Sequence, residues 1–462
     1  MKPVYLFGID VEVQHIIGVH SYGVYFDYFN FALIFQFIMD PGLQNWNSQW
    51  LSKNRDSAKD HIFPLLVTKA LISLVYLVVV FIFSSIFGYA DPSLLIILGF
   101  NLILSTTFSL GRTILSSLGH YRYDSLLSAL DKALLLIIIG GLLWLSSGFS
   151  LYTYALGQTC AFFLSNLILG IILIRMNLSV KWHVTSKQII GILYQCLPFL
   201  YILLFMTAYT RLDGVMLGRL IDDNSFQAGI YATAFRFYDA ANMVAYLFAV
   251  ILLPMFSVQI FDKVQLQELV SLGIRMMVPF STFITLLFVM YGDYFISLQF
   301  SEHVSSYYRV LILLSISFFL VSFTYIFGTF LLAVDQVKKL NFVFAAALII
   351  NFFSNLLLIP RYGAIGAAWS TIGTQLFVVS TEIYLTKSIL RVLISKRNFI
   401  RIVIFGGINI LTFWWVANRL DIPNWFGLIL NTIIFILLFF VLKIIPIQEI
   451  KSLFSKRILS KT

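Results

Sequence analysis

Charged residues are scarce in this chain, where they make up 11% of 462 residues, against roughly 25% in a typical soluble domain. Hydrophobic residues make up 60%, and the mean hydropathy is +0.92. Such a composition cannot cover a folded domain with polar surface. It therefore excludes a water-soluble protein and predicts a polytopic membrane protein.

Cysteine, histidine and long polar segments are scarce as well. Cys160 and Cys196 both lie in apolar segments, which indicates core packing rather than a disulfide or a metal site. The six histidines form no cluster with cysteine, so we expect neither a metal nor a cofactor. Polar segments are too short to hold a soluble catalytic domain, so we expect no enzyme. The net charge of +10 lies in short loops rather than in one basic patch, which argues against nucleic acid.

Apolar runs long enough to cross a bilayer recur along the chain. A membrane helix needs about 20 apolar residues. Residues 1–8 are apolar but too short, and we expect them to end a truncated first helix, followed by an outward loop near residues 8–21. The sequence predicts an all-α fold of fourteen helices, the thirteen complete ones at 22–41, 62–88, 93–118, 125–146, 150–174, 188–218, 227–256, 272–297, 306–334, 340–359, 363–386, 399–418 and 423–445.

Lysine and arginine are concentrated in alternate loops, for example at Lys338 and Lys339. The intervening loops carry acids instead, such as Asp10, Glu12 and Asp91. Basic loops face the cytoplasm in multi-pass membrane proteins. We therefore expect both termini in the cytoplasm.

An internal repeat divides the chain. The segment YGVYFDYFNF at 22–31 aligns with AGIYATAFRF at 228–237, with shared Gly, Tyr and Phe positions. Six helices separate the copies, so the two halves have the same orientation in the membrane. We expect a six-helix bundle at 1–180, a second at 181–395, and two extra helices with a cytoplasmic tail at 396–462.

Charged residues also occur inside the apolar runs. Arg236 lies about 14 Å below the outer end of its helix, near the membrane midplane, and Asp239 follows one turn later. A charge at the bilayer centre costs at least about 2.5–3.5 kcal/mol, so such residues face a bundle interior or a wet cavity. We predict substrate-binding roles for Asp27, Asn30, Arg112, Arg211, Asp213, Arg236 and Asp239.

Alternatives stay open for these charges. Arg236 and Asp239 at i and i+3 could pair only to fix helix packing, and Arg112 could extend to the cytoplasmic surface. Lys69 is expected to extend to the surface in the same way. Glu382, about one turn from Lys387, is expected to form an interfacial ion pair.

Three segments resemble one family. YGVYFDYFNFALIFQFIMDPGL from residue 22, LDGVMLG at 212–218 and LIPRYGAIGAAWST at 358–371 are similar to segments of the polysaccharide flippases, the O-antigen and capsule repeat-unit exporters. These belong to the multidrug/oligosaccharidyl-lipid/polysaccharide exporter superfamily. The resemblance implies two six-helix bundles and a cavity lined mainly by helices one, two, seven and eight, which carry Asp27, Arg211, Asp213, Arg236 and Asp239.

The resemblance implies a flippase that moves a polyprenyl-pyrophosphate-linked oligosaccharide across the bacterial inner membrane by alternating access, for O-antigen or other surface polysaccharide. Its partners would be that lipid-linked substrate and the bilayer, with a glycan polymerase and glycosyltransferases as further candidates. The alternatives are a multidrug or metabolite cation antiporter of the same superfamily, and a membrane-embedded glycan-assembly enzyme or scaffold.

Overall fold

The computed structural model describes residues 4–54, 58–145, 148–176, 184–221, 224–390 and 392–445. Within these ranges the chain forms a short π-helix, Tyr5–Ile9, and fifteen α-helices, with no β-strand. This confirms the predicted all-α class. The helices are α1 (Asp10–Ile34), α2 (Gln36–Met39), α3 (Leu43–Lys53), α4 (Ala58–Ile86), α5 (Pro92–Ser117), α6 (Tyr121–Leu145), α7 (Leu151–Arg175), α8 (Ser186–Leu220), α9 (Asn224–Val258), α10 (Lys263–Ser297), α11 (Val304–Ala333), α12 (Val337–Tyr362), α13 (Ala364–Ile389), α14 (Lys396–Arg419) and α15 (Asn424–Val441).

Eleven helices in the described ranges are long and apolar enough to cross a membrane: α4 to α12, α14 and α15. The chain is thus a multi-pass membrane protein. The predicted span at 22–41 is largely helical in α1 and α2, and the one at 363–386 is helical in α13. Their polar side chains make these helices less apolar than the eleven above.

Several helices begin at residues whose side chains satisfy exposed backbone N–H groups. Asp91 caps α5 and Pro92 follows at its first position. Ser150 caps α7, and Asp262 caps α10 through the N–H groups of Val264 and Gln265. These polar residues between apolar runs therefore fix where the membrane helices start.

Helix α1 is broken at Gly18, which has φ +83° and ψ 160°. This backbone region is accessible essentially only to glycine. The chain is helical on both sides of the break, so the expected outward loop near residues 8–21 is wrong. The turn needs one glycine rather than a polar segment. Residues 1–3, which include the start of the expected truncated helix, lie outside the described residues.

The chain divides into two compact units. The first comprises Met1–Ala232 and Phe352–Gly363. In it, α1 packs against α5 and α8, and α7 packs against α5 and α6. Phe108, Leu115, Leu127 and Leu169 form one of its apolar clusters. Most charged side chains predicted for the site belong to this unit.

The second unit comprises Thr233–Asn351 and Ala364–Thr462. Helix α11 packs against α10 and α13, and α14 and α15 pack against α10. The Asn431 side chain donates a 2.8 Å hydrogen bond to the Tyr291 hydroxyl and so links α15 to α10. The repeat and the boundaries predicted near residues 180 and 395 stay predictions, and the tail from residue 446 lies outside the described residues.

Candidate functional site

Asp27 is a buried acid of α1 held by two groups of the first unit. The Tyr89 hydroxyl donates a 2.9 Å hydrogen bond to Oδ1, and Nη2 of Arg219 lies 3.8 Å from Oδ2. The Arg219 guanidinium also lies 3.5 Å from the centre of the Tyr89 ring, in cation–π geometry. Asp27 therefore sits in a three-residue cluster, of which the sequence predicted only the acid.

The loop between α4 and α5 supports this cluster. Burial, together with the charge of Asp27, raises the pKa of the Tyr89 hydroxyl well above its ordinary value, so Tyr89 is a neutral donor. Asp91 in the same loop is partly buried. Partial burial opposes its ionisation, but hydrogen bonds from Ser93, Tyr152 and the backbone N–H of Leu94 outweigh this effect and lower the pKa of Asp91. Asp91 is thus a carboxylate at neutral pH.

Asn30 and Asp27 lie where α1 packs tightly against α8. The Asn30 amide donates a 2.7 Å hydrogen bond to the backbone oxygen of Phe26, in its own helix. A Cβ at Gly214 would lie 2.7 Å from Asn30 Nδ2, and one at Gly218 would lie 2.8 Å from Asp27 Cβ. Glycines four residues apart lie on one helix face and permit close packing in membranes. The LDGVMLG segment thus brings α8 against the two polar residues of α1.

Asp213 is buried next to Gly214 and accepts hydrogen bonds from two other helices. The Tyr231 hydroxyl on α9 donates to Oδ2 at 2.9 Å, and the Asn355 amide on α12 donates to Oδ1 at 2.7 Å. All three residues belong to the first unit. Arg211, two residues earlier on α8, is only partly buried. The structure thus assembles Asp27, Asn30 and Asp213 along the packed face of α8.

Arg236 and Asp239 belong to the second unit. The Arg236 side chain is buried in α9 at 3% exposure, whereas Asp239 is partly exposed. Tyr307 on α11 hydrogen-bonds Thr233 and lies within electrostatic reach of Arg236. A buried guanidinium in an apolar helix places a permanent positive charge inside a span.

Arg112 forms an ion pair near the turn between α5 and α6. Its Nε donates a 2.8 Å hydrogen bond to Oδ1 of Asp124, and the two side chains are 28% and 27% exposed. The guanidinium is therefore engaged within the first unit, in a partly wet position. A role of Arg112 in substrate binding stays a prediction.

A second polar cluster was missed by the sequence reasoning, which placed Asp10 in an outward loop. Asp10 is buried in α1 and accepts hydrogen bonds from the hydroxyls of Tyr22 at 2.6 Å and Tyr154 at 2.7 Å. Tyr154 also hydrogen-bonds Tyr5, to which the Gln158 amide donates. An acid between two apolar segments, followed by several tyrosines, was the only signal that the sequence offered.

Two further expectations about single charges are wrong. Lys69 does not extend to the surface: it is buried, and its Nζ donates to the backbone oxygen of Met39 and to the Thr106 hydroxyl, both at 2.8 Å. Glu382 is not an interfacial partner of Lys387, because its side chain is completely buried. In both cases a neighbouring helix covers a charge that the sequence alone places at the surface.

The cysteines differ in their surroundings: Cys196 is buried, as expected, whereas Cys160 is exposed on α7, and both are free thiols. Across the described ranges, no group of three or more His, Cys, Asp or Glu side chains has the arrangement of a metal site.

The fold is similar to that of solved membrane transporters. It matches a structure described as the lipid II flippase MurJ in an inward closed conformation, over 98% of this chain and 97% of that chain, with a TM-score of 0.72 and 16% identity. It matches an inward-facing multidrug resistance MATE family transporter of the MOP superfamily over 84% and 95%, with a TM-score of 0.62 and 12% identity. A MOP superfamily transporter from Pyrococcus furiosus matches over 88% and 89%, with a TM-score of 0.55 and 12% identity.

At such identities these structures establish the fold. A comparison with curated protein sequences gave no match. The sequence profile of the family described as "Polysaccharide biosynthesis protein" (Polysacc_synt) matches residues 7–260, more than half of the 462 residues. This match and the shared fold confirm the resemblance drawn from the three segments. The chain therefore belongs to the polysaccharide biosynthesis protein family and has the fold of the flippases and transporters of the MOP superfamily, not that of an enzyme.

Proposed function

We propose that this protein is a flippase that moves a polyprenyl-pyrophosphate-linked oligosaccharide across the cytoplasmic membrane of a bacterium, for a surface polysaccharide such as O-antigen. The lipid tail stays in the bilayer while the sugar and pyrophosphate pass through the protein. No bond is made or broken. Both termini face the cytoplasm, where glycosyltransferases would supply the substrate, and a glycan polymerase would use it on the other side.

The observation that carries this proposal is the burial of Arg236 in an apolar helix of a chain with the fold of a lipid II flippase. A guanidinium stays charged at any physiological pH, and its fork of N–H groups matches phosphate oxygens. A buried cation of this kind suits a pyrophosphate. It does not suit the organic cations that a multidrug exporter would carry.

The acids and amides would serve the rest of the substrate. We assign Asp239 the role of counter-charge to Arg236 when no substrate is bound, and Arg211 a second contact to phosphate. Asp213, Asp27 and Asn30 in the first unit are carboxylate and amide groups that can bind sugar hydroxyls once their present partners move. Arg112 would contact the substrate at the cytoplasmic mouth.

The test uses the full chain in proteoliposomes that contain a polyprenyl-pyrophosphate-linked oligosaccharide, with lectin access to the sugar as the readout. Arg236→Ala is expected to lower the rate at least about tenfold, since one hydrogen bond to a charged group contributes about 1.5–3 kcal/mol. Arg236→Lys should restore part of the rate. Arg309→Ala is the matched control, because Arg309 is an exposed arginine in the same unit.

Equal flipping rates of Arg236→Ala and Arg309→Ala, at equal reconstituted amounts, would refute the role of Arg236 in binding phosphate. Transport of a lipophilic organic cation, with no flipping of the lipid-linked sugar, would instead identify a cation exporter. Complementation of a flippase-null strain with the same variants checks the result in cells.

A further inference from the structure

Glu382 on α13 is a buried acid that the proposed substrate site does not use. Its side chain has 0% exposure, and neither carboxyl oxygen has a hydrogen-bond partner among the described residues. The buried acids of the first unit differ in this respect. Asp27 accepts a hydrogen bond from Tyr89, and Asp213 accepts one from Tyr231. Glu382 therefore needs a different explanation for its stability inside the protein.

The carboxyl of Glu382 is enclosed by helix α11, which packs against α13. A Cβ at Gly328 would lie 2.9 Å from Oε1, so the glycine provides the space that the carboxyl occupies. Thr324, one turn earlier on the same face of α11, is a neutral polar side chain that interacts with the carboxyl, but neither its hydroxyl oxygen nor either carboxyl oxygen meets the geometry of a hydrogen bond. The group is thus enclosed between two helices rather than placed in an open cavity.

No cation neutralises Glu382 in the part of the chain that the structure describes. Lys387 on the same helix is exposed and points to a different sector, since five residues correspond to about 140° of helix rotation. Arg275 on α10 is a buried cation of the same unit. It makes no hydrogen bond to either oxygen of Glu382.

Burial without a counter-charge favours the neutral form of a carboxyl, because an isolated ionised carboxylate in an apolar interior is very costly. A carboxylic acid is a smaller polar group than a carboxylate with its water shell, and it fits between two packed helices. Ionisation then requires α11 and α13 to separate, so that water can reach the carboxylate and accept the proton. Proton binding and helix packing are therefore linked at this position.

We propose that Glu382 is a proton-binding site of the second unit, which holds a proton while α11 and α13 are packed and releases it to water when they separate during transport. The proton is then the ion that drives substrate flipping. This role in coupling rests on the flippase function proposed above. If one proton moves per transport cycle, each unit of pH difference across the membrane can change the equilibrium ratio of substrate on its two sides by at most about tenfold.

The protonation itself can be tested without substrate. Infrared difference spectra of the purified full chain should show the carbonyl band of a buried protonated carboxyl, and Glu382→Gln should remove it. Glutamine has the shape of the neutral acid and should preserve the packing. Glu268→Gln, which changes an exposed acid of α10 in the same unit, should leave the band in place. If the band is absent from the unchanged chain at neutral pH, the proposal is wrong.

The coupling is tested in proteoliposomes with the lipid-linked oligosaccharide, with and without an imposed pH difference. The unchanged chain and Glu268→Gln should be stimulated by the gradient, whereas Glu382→Gln should transport at one rate in both conditions. Stimulation of Glu382→Gln equal to that of the unchanged chain would refute the site. Absence of transport by the unchanged chain both with and without a gradient would contradict the proposed function instead, and the infrared band would still decide whether Glu382 holds a proton.

Discussion

Gly218 lies where α8 and α1 are in tight contact, and Gly218→Ala is expected to force these helices apart. The added Cβ would lie 2.8 Å from Asp27 Cβ, well inside the separation of about 3.5–4.0 Å that two carbon atoms prefer. Asp27 Cβ is fixed to the backbone of α1, so no rotation of a side chain can relieve the contact. The backbone must move instead.

The size of the effect follows from two opposing contributions. Overpacking of a tightly packed interface costs about 1–3 kcal/mol. Alanine is a better helix former than glycine, which returns about 0.5–1 kcal/mol. The net expectation is a loss of about 1–2 kcal/mol in the free energy of unfolding. Gly191→Ala on the same helix is the control, since a Cβ there meets no atom within 4 Å, and it should stabilise the protein by about 0.5–1 kcal/mol.

The measurement is the unfolding of the purified full chain in mixed micelles, followed by tryptophan fluorescence. The two alanine variants should shift the transition in opposite directions, so a common effect of the micelle on helix stability cancels in the comparison. If Gly218→Ala were as stable as Gly191→Ala, α1 and α8 would not be packed as the structure places them. The close approach of Asp27 and Asn30 to α8 would then also be incorrect.

Two further predictions concern charged side chains near helix ends. Asp91→Ala should lower the free energy of unfolding by about 1 kcal/mol because the carboxylate caps α5, while Asp91→Ser should keep most of it. The pKa of Asp91 is lower in the folded state, so its contribution to stability is present above the ordinary pKa of a carboxyl and disappears as the pH falls through the folded value. The free energies of unfolding of Asp91→Ala and the unchanged chain should therefore converge in acid. A difference between the two that stays constant in a denaturation series against pH would contradict this. A double-mutant cycle of Arg112→Ala and Asp124→Ala should give a coupling energy of about 0.2–1 kcal/mol, because the ion pair is partly exposed to water. A coupling energy above about 3 kcal/mol would show instead that water does not reach the ion pair.

Much of the fold could be predicted from the sequence. Apolar runs of about 20 residues have one stable solution in a bilayer, because every backbone group must be hydrogen-bonded within its own helix. The burial of Asp27, Asp213 and Arg236 also agrees with the rule that charges within spans face the protein interior. Local composition was sufficient for these conclusions.

The partners of the charged residues could not be predicted in the same way. Asp10 is bonded by Tyr154, which is 144 residues away in the chain, and no local pattern encodes that contact. Glu382 was assigned to Lys387 because the two are close in sequence, but its burial depends on a glycine of another helix, Gly328. Helix spacing predicts which residues share a face. It does not predict which helix covers that face.

Because α1 is broken at Gly18, the hydrogen bond between Tyr22 and Asp10 reports the shape of this helix. In a continuous α-helix, residues 12 positions apart are separated by about 18 Å along the axis, more than an aspartate and a tyrosine side chain can bridge. Here the tyrosine hydroxyl lies 2.6 Å from the carboxylate. The bond can therefore exist only while the chain is folded back at residue 18. The hydrogen bond is therefore present only in the bent form of α1. Any event that straightens α1 must break this bond and leave the buried carboxylate of Asp10 without one of its donors.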